Sequence, residues 1–189
     1  MHKIYKETYR QLSHGTDEES AEKIREAGFT ITGDQGSWCG KGVYFYDIKK
    51  KAWWAAKRKC EEIKNRTGKK VRPAVVFADI IDIEDQDIFD LRAYSDLCDF
   101  ENQIREIFKD YTFELSGTDS EVERVIKLRA MLISYYAHAK HKKLIIGNFR
   151  QRPQPLYEHA IEFANSLDMI FGIETIYCVK DNNIIENIH

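Results

Sequence analysis

Proline and cysteine are scarce, with three prolines and four cysteines in 189 residues, too few for a linker-rich, collagenous or disulfide-framework protein. Cys39, Cys60, Cys98 and Cys178 form no C-x-x-C and stand far apart, so they read as reduced, mostly core thiols and no zinc ribbon is expected. No stretch approaches the ~18 consecutive apolar residues of a membrane span. The opening Met1-His2-Lys3-Ile4-Tyr5-Lys6 lacks the apolar core of a secretory signal, so the expectation is a cytoplasmic protein with no membrane partner. G-x-S-x-G, the P-loop and the dinucleotide G-x-G-x-x-G are also missing, which removes the fingerprints of a serine hydrolase, a P-loop NTPase and a Rossmann dehydrogenase. His138 and His141 lie close in sequence but have no H-E-x-x-H pattern and no third ligand, so no metal site is expected.

What is present is ordinary globular composition, 43% hydrophobic and 32% charged, enough for one domain over 1–189 with a true core. The formal net charge of −2 conceals two blocks. Lys49 to Arg72 holds eleven Lys or Arg against Glu61 and Glu62; Asp79 to Glu123 holds fifteen acids against Arg92, Arg105 and Lys109. Either these are two solvated faces, or the basic block meets phosphates.

Periodicity and turn signals predict an α+β fold with strands near both ends of the chain. Tyr9 to Ser13 reads as a strand turning at His14-Gly15, and Thr16-x-x-Glu19 as the capping box of a helix to Ala27, closed by Gly28. A glycine loop, 33–42, feeds the strand Val43-Tyr44-Phe45-Tyr46. From Lys50 to Asn65 the helical recurrence of Trp53, Ala56, Cys60 and Ile63 puts Trp53 on the buried stripe and Trp54 on its flank. Arg72 to Ile83 is one long strand or a strand pair, and the acidic centre carries two helices, the second opening at Thr118-x-x-Glu121. A strand at Leu144 to Gly147, a helix carrying Leu156, Ala160, Phe163 and Leu167, and a last strand at Glu174 to Lys180 complete the pattern.

Three features stand apart from scaffold. His14-Gly15-Thr16 follows a strand, Gly40-Lys41-Gly42-Val43-Tyr44-Phe45 leaves a glycine loop, and Glu174 opens the final strand. Each has a plain alternative: turn chemistry for the first, a bulged strand entry for the second and an edge carboxylate for the third.

In this order the blocks resemble the ADP-ribosyltransferase family, in the His-Tyr-Glu branch that includes the poly(ADP-ribose) polymerases and diphtheria toxin. Leu12-Ser13-His14-Gly15-Thr16 followed by Ala27-Gly28-Phe29 resembles the family's first block. Gly40-Lys41-Gly42-Val43-Tyr44-Phe45-Tyr46-Asp47 resembles the second, and Glu174-Thr175-Ile176-Tyr177-Cys178-Val179 the third. The central acidic stretch matches none of it. The resemblance implies two packed β-sheets forming an NAD cleft, with flanking helices and a helical acidic insert at about 85–141. Two positions depart from the polymerase pattern: Ala52 stands where a serine touches the nicotinamide amide, and Ala55 where a second tyrosine stacks. Trp54 is the candidate replacement wall, although Trp53 and Trp54 also read as packing. Gly172, two before Glu174, separates the chain from the arginine-modifying branch.

The resemblance also implies roles. Glu174, Tyr44 and His14 would be catalytic; His14, Gly15, Thr16, Tyr44, Phe45 and Trp54 would hold NAD⁺, which is a substrate. Cleaving the nicotinamide–ribose bond passes through an oxocarbenium-like state, which a carboxylate such as Glu174 stabilises and next to which an aromatic such as Tyr44 can stack on the flat ring. His14 would hold the adenosine ribose, and the Gly15 main chain the nicotinamide amide. The expected function is mono-ADP-ribosyl transfer to a macromolecule, RNA or protein with the basic block favouring RNA, by a toxin or phage-defence effector that a neutralising antitoxin partner could cover. By the same reading Lys140, Lys142, Lys143, Arg150 and Arg152 would extend the basic patch. The alternatives are a catalytically inactive NAD- or ADP-ribose-binding module and a partner-interaction domain.

Overall fold

The computed structural model describes residues 5–31, 38–109, 120–150 and 173–189. It is α+β: a seven-stranded mixed sheet with four α-helices among the described residues. In chain order these are β1 (Lys6–Asp17), α1 (Glu18–Ala27), β2 (Val43–Tyr46), α2 (Lys49–Thr67), β3 (Pro73–Glu84), β4 (Ile88–Asp90), α3 (Tyr94–Phe108), α4 (Glu121–Ala139), β5 (Leu144–Arg150), β6 (Ile173–Val179) and β7 (Ile185–Glu186). The strand order is β4-β5-β6-β2-β1-β3-β7. In place of the expected two packed sheets there is one sheet with a weak seam. β1 and β3 pair along nearly their whole length and β5 and β6 over seven positions, but β1 meets β2 at the single register pair Ser13↔Tyr46.

Several local expectations shift. β1 does not turn at His14-Gly15; it runs on to Asp17, so His14, Gly15 and Thr16 lie inside a strand held by β3. The cap of α1 is Asp17, whose carboxylate accepts from Ser20 N at 3.0 Å, because the strand's extra residues move the helix start one place beyond Thr16. Gly28 ends α1 at φ +80°, a conformation that favours glycine, with its N–H on Ile24 O. α4 is capped by Ser120, in a reciprocal capping box with Glu123, rather than from Thr118. Arg72 to Ile83 resolves as one long strand. The expected helix at Leu156–Leu167 lies outside the described residues, as do the loop positions 33–37. Two short strands escaped the pattern: β4 pairs parallel with β5, and β7 adds to β3 beyond what was expected to be the last strand. Residues of the expected acidic insert thus enter the sheet as β4, and Phe89, Phe100 and Tyr136 stack as a ring cluster that ties α3 and α4 to it.

Side-chain alternation divides the core between the two faces. On the α1 face Leu12, Ala21, Phe29, Val43, Phe45, Val76 and Val179 pack together; on the other Tyr46, Ala52, Phe89, Ile133, Tyr136, Ile145, Ile176 and Cys178 do. α2 lies on this second face, and its buried stripe is Ala52, Ala56 and Cys60. This corrects the expected stripe by one residue: Trp53 and Trp54 are 40% and 39% exposed. The reason is Gly15. A Cβ on Gly15 would sit 1.9 Å from Ala52 O, so helix and strand touch main chain to main chain, and only alanine-sized side chains fit along that line. The cysteines are free and three of the four are buried. Among the described residues no helix is long and apolar enough to cross a membrane.

Candidate active site at the seam between two strands

Ladder parity shows what the seam leaves open. Glu18 N donates to Arg72 O at 3.0 Å, continuing the β1–β3 ladder. The alternation of an antiparallel ladder therefore turns the main-chain groups of His14 and Thr16 toward β3, and those of Ser13, Gly15 and Asp17 toward β2. Pro73, with no N–H to give, stands opposite Asp17, as that parity requires. Ser13 uses its edge: it pairs with Tyr46, and its Oγ donates to Tyr46 O at 2.9 Å. One step on, a regular ladder would join Gly15 N–H to Tyr44 O. Instead Tyr44 O accepts from His14 Nδ1 at 2.8 Å, and the strands diverge. The Gly15 N–H and C=O therefore face the gap between β1 and β2, where no strand among the described residues pairs with them.

His14 is fixed by this bond and by its ring neighbours. Its imidazole meets Phe29 at 5.2 Å and Phe45 at 5.9 Å between centroids, both edge to face, on the α1 side of the sheet. Burial drives its pKa down to about 4, outweighing the carbonyl partner that favours the charged form. A carbonyl only accepts, so the neutral ring carries its proton on Nδ1 and keeps Nε2 as an acceptor suited to a hydroxyl. Phe45 is fully buried and acts as the wall behind this ring.

On the other face lie Tyr44, Tyr46 and Glu174. Tyr44 is tied back on its own loop: its hydroxyl donates to Gly40 O and accepts from Cys39 N, and burial pushes its pKa upward. Its register partner is Cys178, four residues past Glu174. Tyr46, partner of Ile176, is the tyrosine beside Glu174; burial, then the carboxylate's charge, push its pKa up to about 12. Glu174 is 4% exposed and forms an ion pair with Lys51 from the first turn of α2. Its Oε1 makes no aligned hydrogen bond, so the pair satisfies distance but not direction. Phe149 stands opposite Glu174 in register, and the Arg129 guanidinium lies 5.2 Å from that ring and 4.6 Å from Trp38.

The structure thus brings His14 to Tyr44 through the main chain and places Glu174 with Tyr46 and Lys51; it does not bring the Tyr44 hydroxyl to Glu174, and the His14 ring and Glu174 lie on opposite faces of the sheet, on either side of the seam. Thr16 is buried and accepts from Lys59 Nζ at 2.7 Å, a structural contact beside the Lys59–Asp17 ion pair at 3.2 Å. Trp54 is on the solvent side of α2, with the Arg58 guanidinium 5.1 Å over its ring. Gly172 lies outside the described residues.

Sequence reasoning missed Tyr46, Lys51 and Arg129. The first was within reach, since strand alternation already puts Tyr44 and Tyr46 on one face; Lys51 was hidden inside a run of like charges, and Arg129 inside a helix whose outer end no pattern marks. The proposed extension of the basic patch is mostly engaged elsewhere: Lys140 pairs with Asp99, Lys143 with Asp87, and Lys142 donates to the main chain at Gln86 and Ile88. The Arg150 side chain and Arg152 lie outside the described residues. Two surface depressions, one beside Tyr9, Asp90 and Asp96 and one beside Ile31, His138 and Lys180, lie away from the seam. Among the described residues no cluster of three His, Cys, Asp or Glu is arranged for a metal ion.

No family model matches the chain, and neither a curated protein nor a solved structure does.

Proposed function

We propose that the protein is an NAD-dependent ADP-ribosyltransferase of the His-Tyr-Glu kind, moving one ADP-ribose unit to a macromolecule, with the seam as its site. The observation that carries the reading is the Gly15 main-chain edge left without a β2 register partner where His14 takes Tyr44 O, with α2 packed on Gly15 at Ala52 and a buried carboxylate at Glu174 in the strand beside β2. An N–H and C=O side by side, without a β2 partner among the described residues, match a carboxamide donor for acceptor, which is what the nicotinamide amide offers. Nε2 of neutral His14 accepts from a ribose hydroxyl.

In the reaction, the bond between C1′ of the ribose and the pyridinium nitrogen breaks, and its electron pair leaves with nicotinamide as a neutral ring. Positive charge grows on the ribose as it departs, and Glu174 stabilises it from a buried position where an ionic interaction is little screened. An acceptor hydroxyl or amine then attacks C1′, forming the new bond to ribose, and its proton is released to solvent. Lys51 holds the carboxylate between turnovers and must yield its place as the substrate cation arrives. Tyr46, beside Glu174, is the aromatic positioned to support the ring; Tyr44 braces the loop that starts β2.

The same ion pair favours a second reading, a module that binds NAD⁺ or ADP-ribose without turning it over, its carboxylate already neutralised by Lys51. Incubating the protein with NAD⁺ labelled in the adenylate, together with total cellular RNA and total cellular protein, separates the two. Label that becomes covalently attached to either pool supports the transferase. Retention of NAD⁺ without any transfer or nicotinamide release supports the module.

A further inference from the structure

We infer that the outer face of α2 is a docking strip for single-stranded RNA, placed to carry an acceptor strand to the seam. As an acceptor surface it rests on the transferase reading; as a binding surface it stands alone. Trp53 and Trp54 are large rings on a helix whose neighbours at helical spacing are Lys50, Lys57, Arg58 and Lys64. Soluble helices rarely leave two adjacent tryptophans on the solvent side, and here the buried stripe of alanines and Cys60 has no room for them. Exposed indole faces interleaved with cations are what a flexible strand needs: bases stack on the rings while phosphates meet the ammonium groups.

The charges are available. Arg58, Lys59 and Lys69 are engaged with Glu62, Asp17 and Glu19, but Lys50, Lys57, Lys64, Arg66, Lys70 and Arg72 make no ion pair among the described residues. Glu61 and Glu62 are the acids of α2, Glu62 already paired with Arg58, and they leave the excess strongly positive. The placement is direct as well. Trp53 stands two residues after Lys51, which pairs with Glu174, so a strand lying along the outer face of α2 reaches the end of the helix that adjoins the seam. An unpaired strand exposes both base faces, whereas a duplex hides them, and RNA is the nucleic acid whose loops and ends are commonly unpaired.

The test is fluorescence anisotropy, without NAD⁺, of a labelled 12-nucleotide mixed-sequence single-stranded RNA, with the same sequence as duplex RNA and as single-stranded DNA, and with labelled polyglutamate, as comparisons. The strip predicts binding of single-stranded RNA ahead of all three. It also predicts loss of at least ~10-fold in W53A/W54A, and recovery of most of it in W53F/W54F, which keeps a stacking face. K50Q/K57Q/K64Q should flatten the logarithmic salt dependence by about 2. Equal or tighter binding of duplex RNA, single-stranded DNA or polyglutamate, or an unchanged affinity in W53A/W54A with native circular dichroism, would overturn it. Absence of RNA binding alongside intact nicotinamide release would remove the strip and leave the enzyme. RNA binding without nicotinamide release would do the reverse.

Discussion

The imidazole of His14 donates from Nδ1 to the main-chain oxygen of Tyr44 at 2.8 Å, and this one bond occupies the position where a regular antiparallel ladder would place Gly15 N–H. The two strands separate there for a reason the residues supply: a side chain from one strand takes the acceptor that the other strand's backbone would have used. His14→Ala leaves Tyr44 O without its donor in half-buried surroundings. It should cost about 1–3 kcal/mol in urea unfolding and weaken NAD⁺ binding about tenfold by titration calorimetry. Full NAD⁺ affinity in this variant would detach His14 from the site.

Gly15 is required by space. With Ala52 O only 1.9 Å from where a Cβ would lie, Gly15→Ala must push α2 off β1, and about 3 kcal/mol of stability should go with it. Gly68→Ala, at φ +75° with nothing within 4 Å, meets no neighbour and should cost about 1 kcal/mol from backbone strain alone. Denaturant midpoints of the two variants, side by side, check the contrast.

The Lys51–Glu174 ion pair predicts strong non-additivity. Lys51→Met strands a buried carboxylate and should destabilise by about 3 kcal/mol, while Lys51→Met with Glu174→Gln should recover much of it, because the charge left behind is then gone. A thermodynamic cycle from four unfolding curves gives the coupling; additive effects would mean that the pair is solvated.

Acid should act first through His14. Its folded pKa, about 4, is below the ordinary histidine value of 6.5, so the unfolded chain takes up the proton first. The stability His14 contributes is complete above pH 6.5 and falls as pH drops toward 4, by at most ~3 kcal/mol. Asp17 follows lower: burial works against its charge, but two hydrogen bonds from Ser20 and the Lys59 ammonium hold its pKa down to about 2, so its share is present above pH 4 and vanishes as pH falls through 2. Unfolding curves at pH 7.5, 5.5 and 4.5 should show most of the early loss removed in a His14→Gln background.

Much of this arrangement was legible in the residues. Local signals located α1, β2, α4 and β6 to within a few positions, because capping side chains, a glycine at a helix end and β-branched runs act over short range. The turn expected at His14-Gly15 was wrong because pairing with β3, sixty residues on, overrides the local preference of a His-Gly-Thr triplet. The stripe of α2 was misread by one residue because helical periodicity cannot distinguish a stripe led by Trp53 from one led by Ala52; only contact with Gly15 decides it. Strands of two and three residues, β7 and β4, exist through their neighbours and leave no periodic trace. Of the candidate site, the place of Glu174 at the start of the late strand was readable, whereas its neighbours Lys51 and Tyr46 depend on how β2 leads into α2.

The central claim is that Glu174 acts on the nicotinamide–ribose bond, and the most direct measurement is nicotinamide released from NAD⁺, followed chromatographically for the wild-type chain and Glu174→Gln, with NAD⁺ affinity measured on both. The account predicts release by the wild type, a fall of ~100-fold or more in the variant, and NAD⁺ affinity changed little, since the carboxylate acts on charge that develops only in the transition state. Equal release by both proteins, or none by the wild type at saturating NAD⁺ and acceptor RNA, would contradict it.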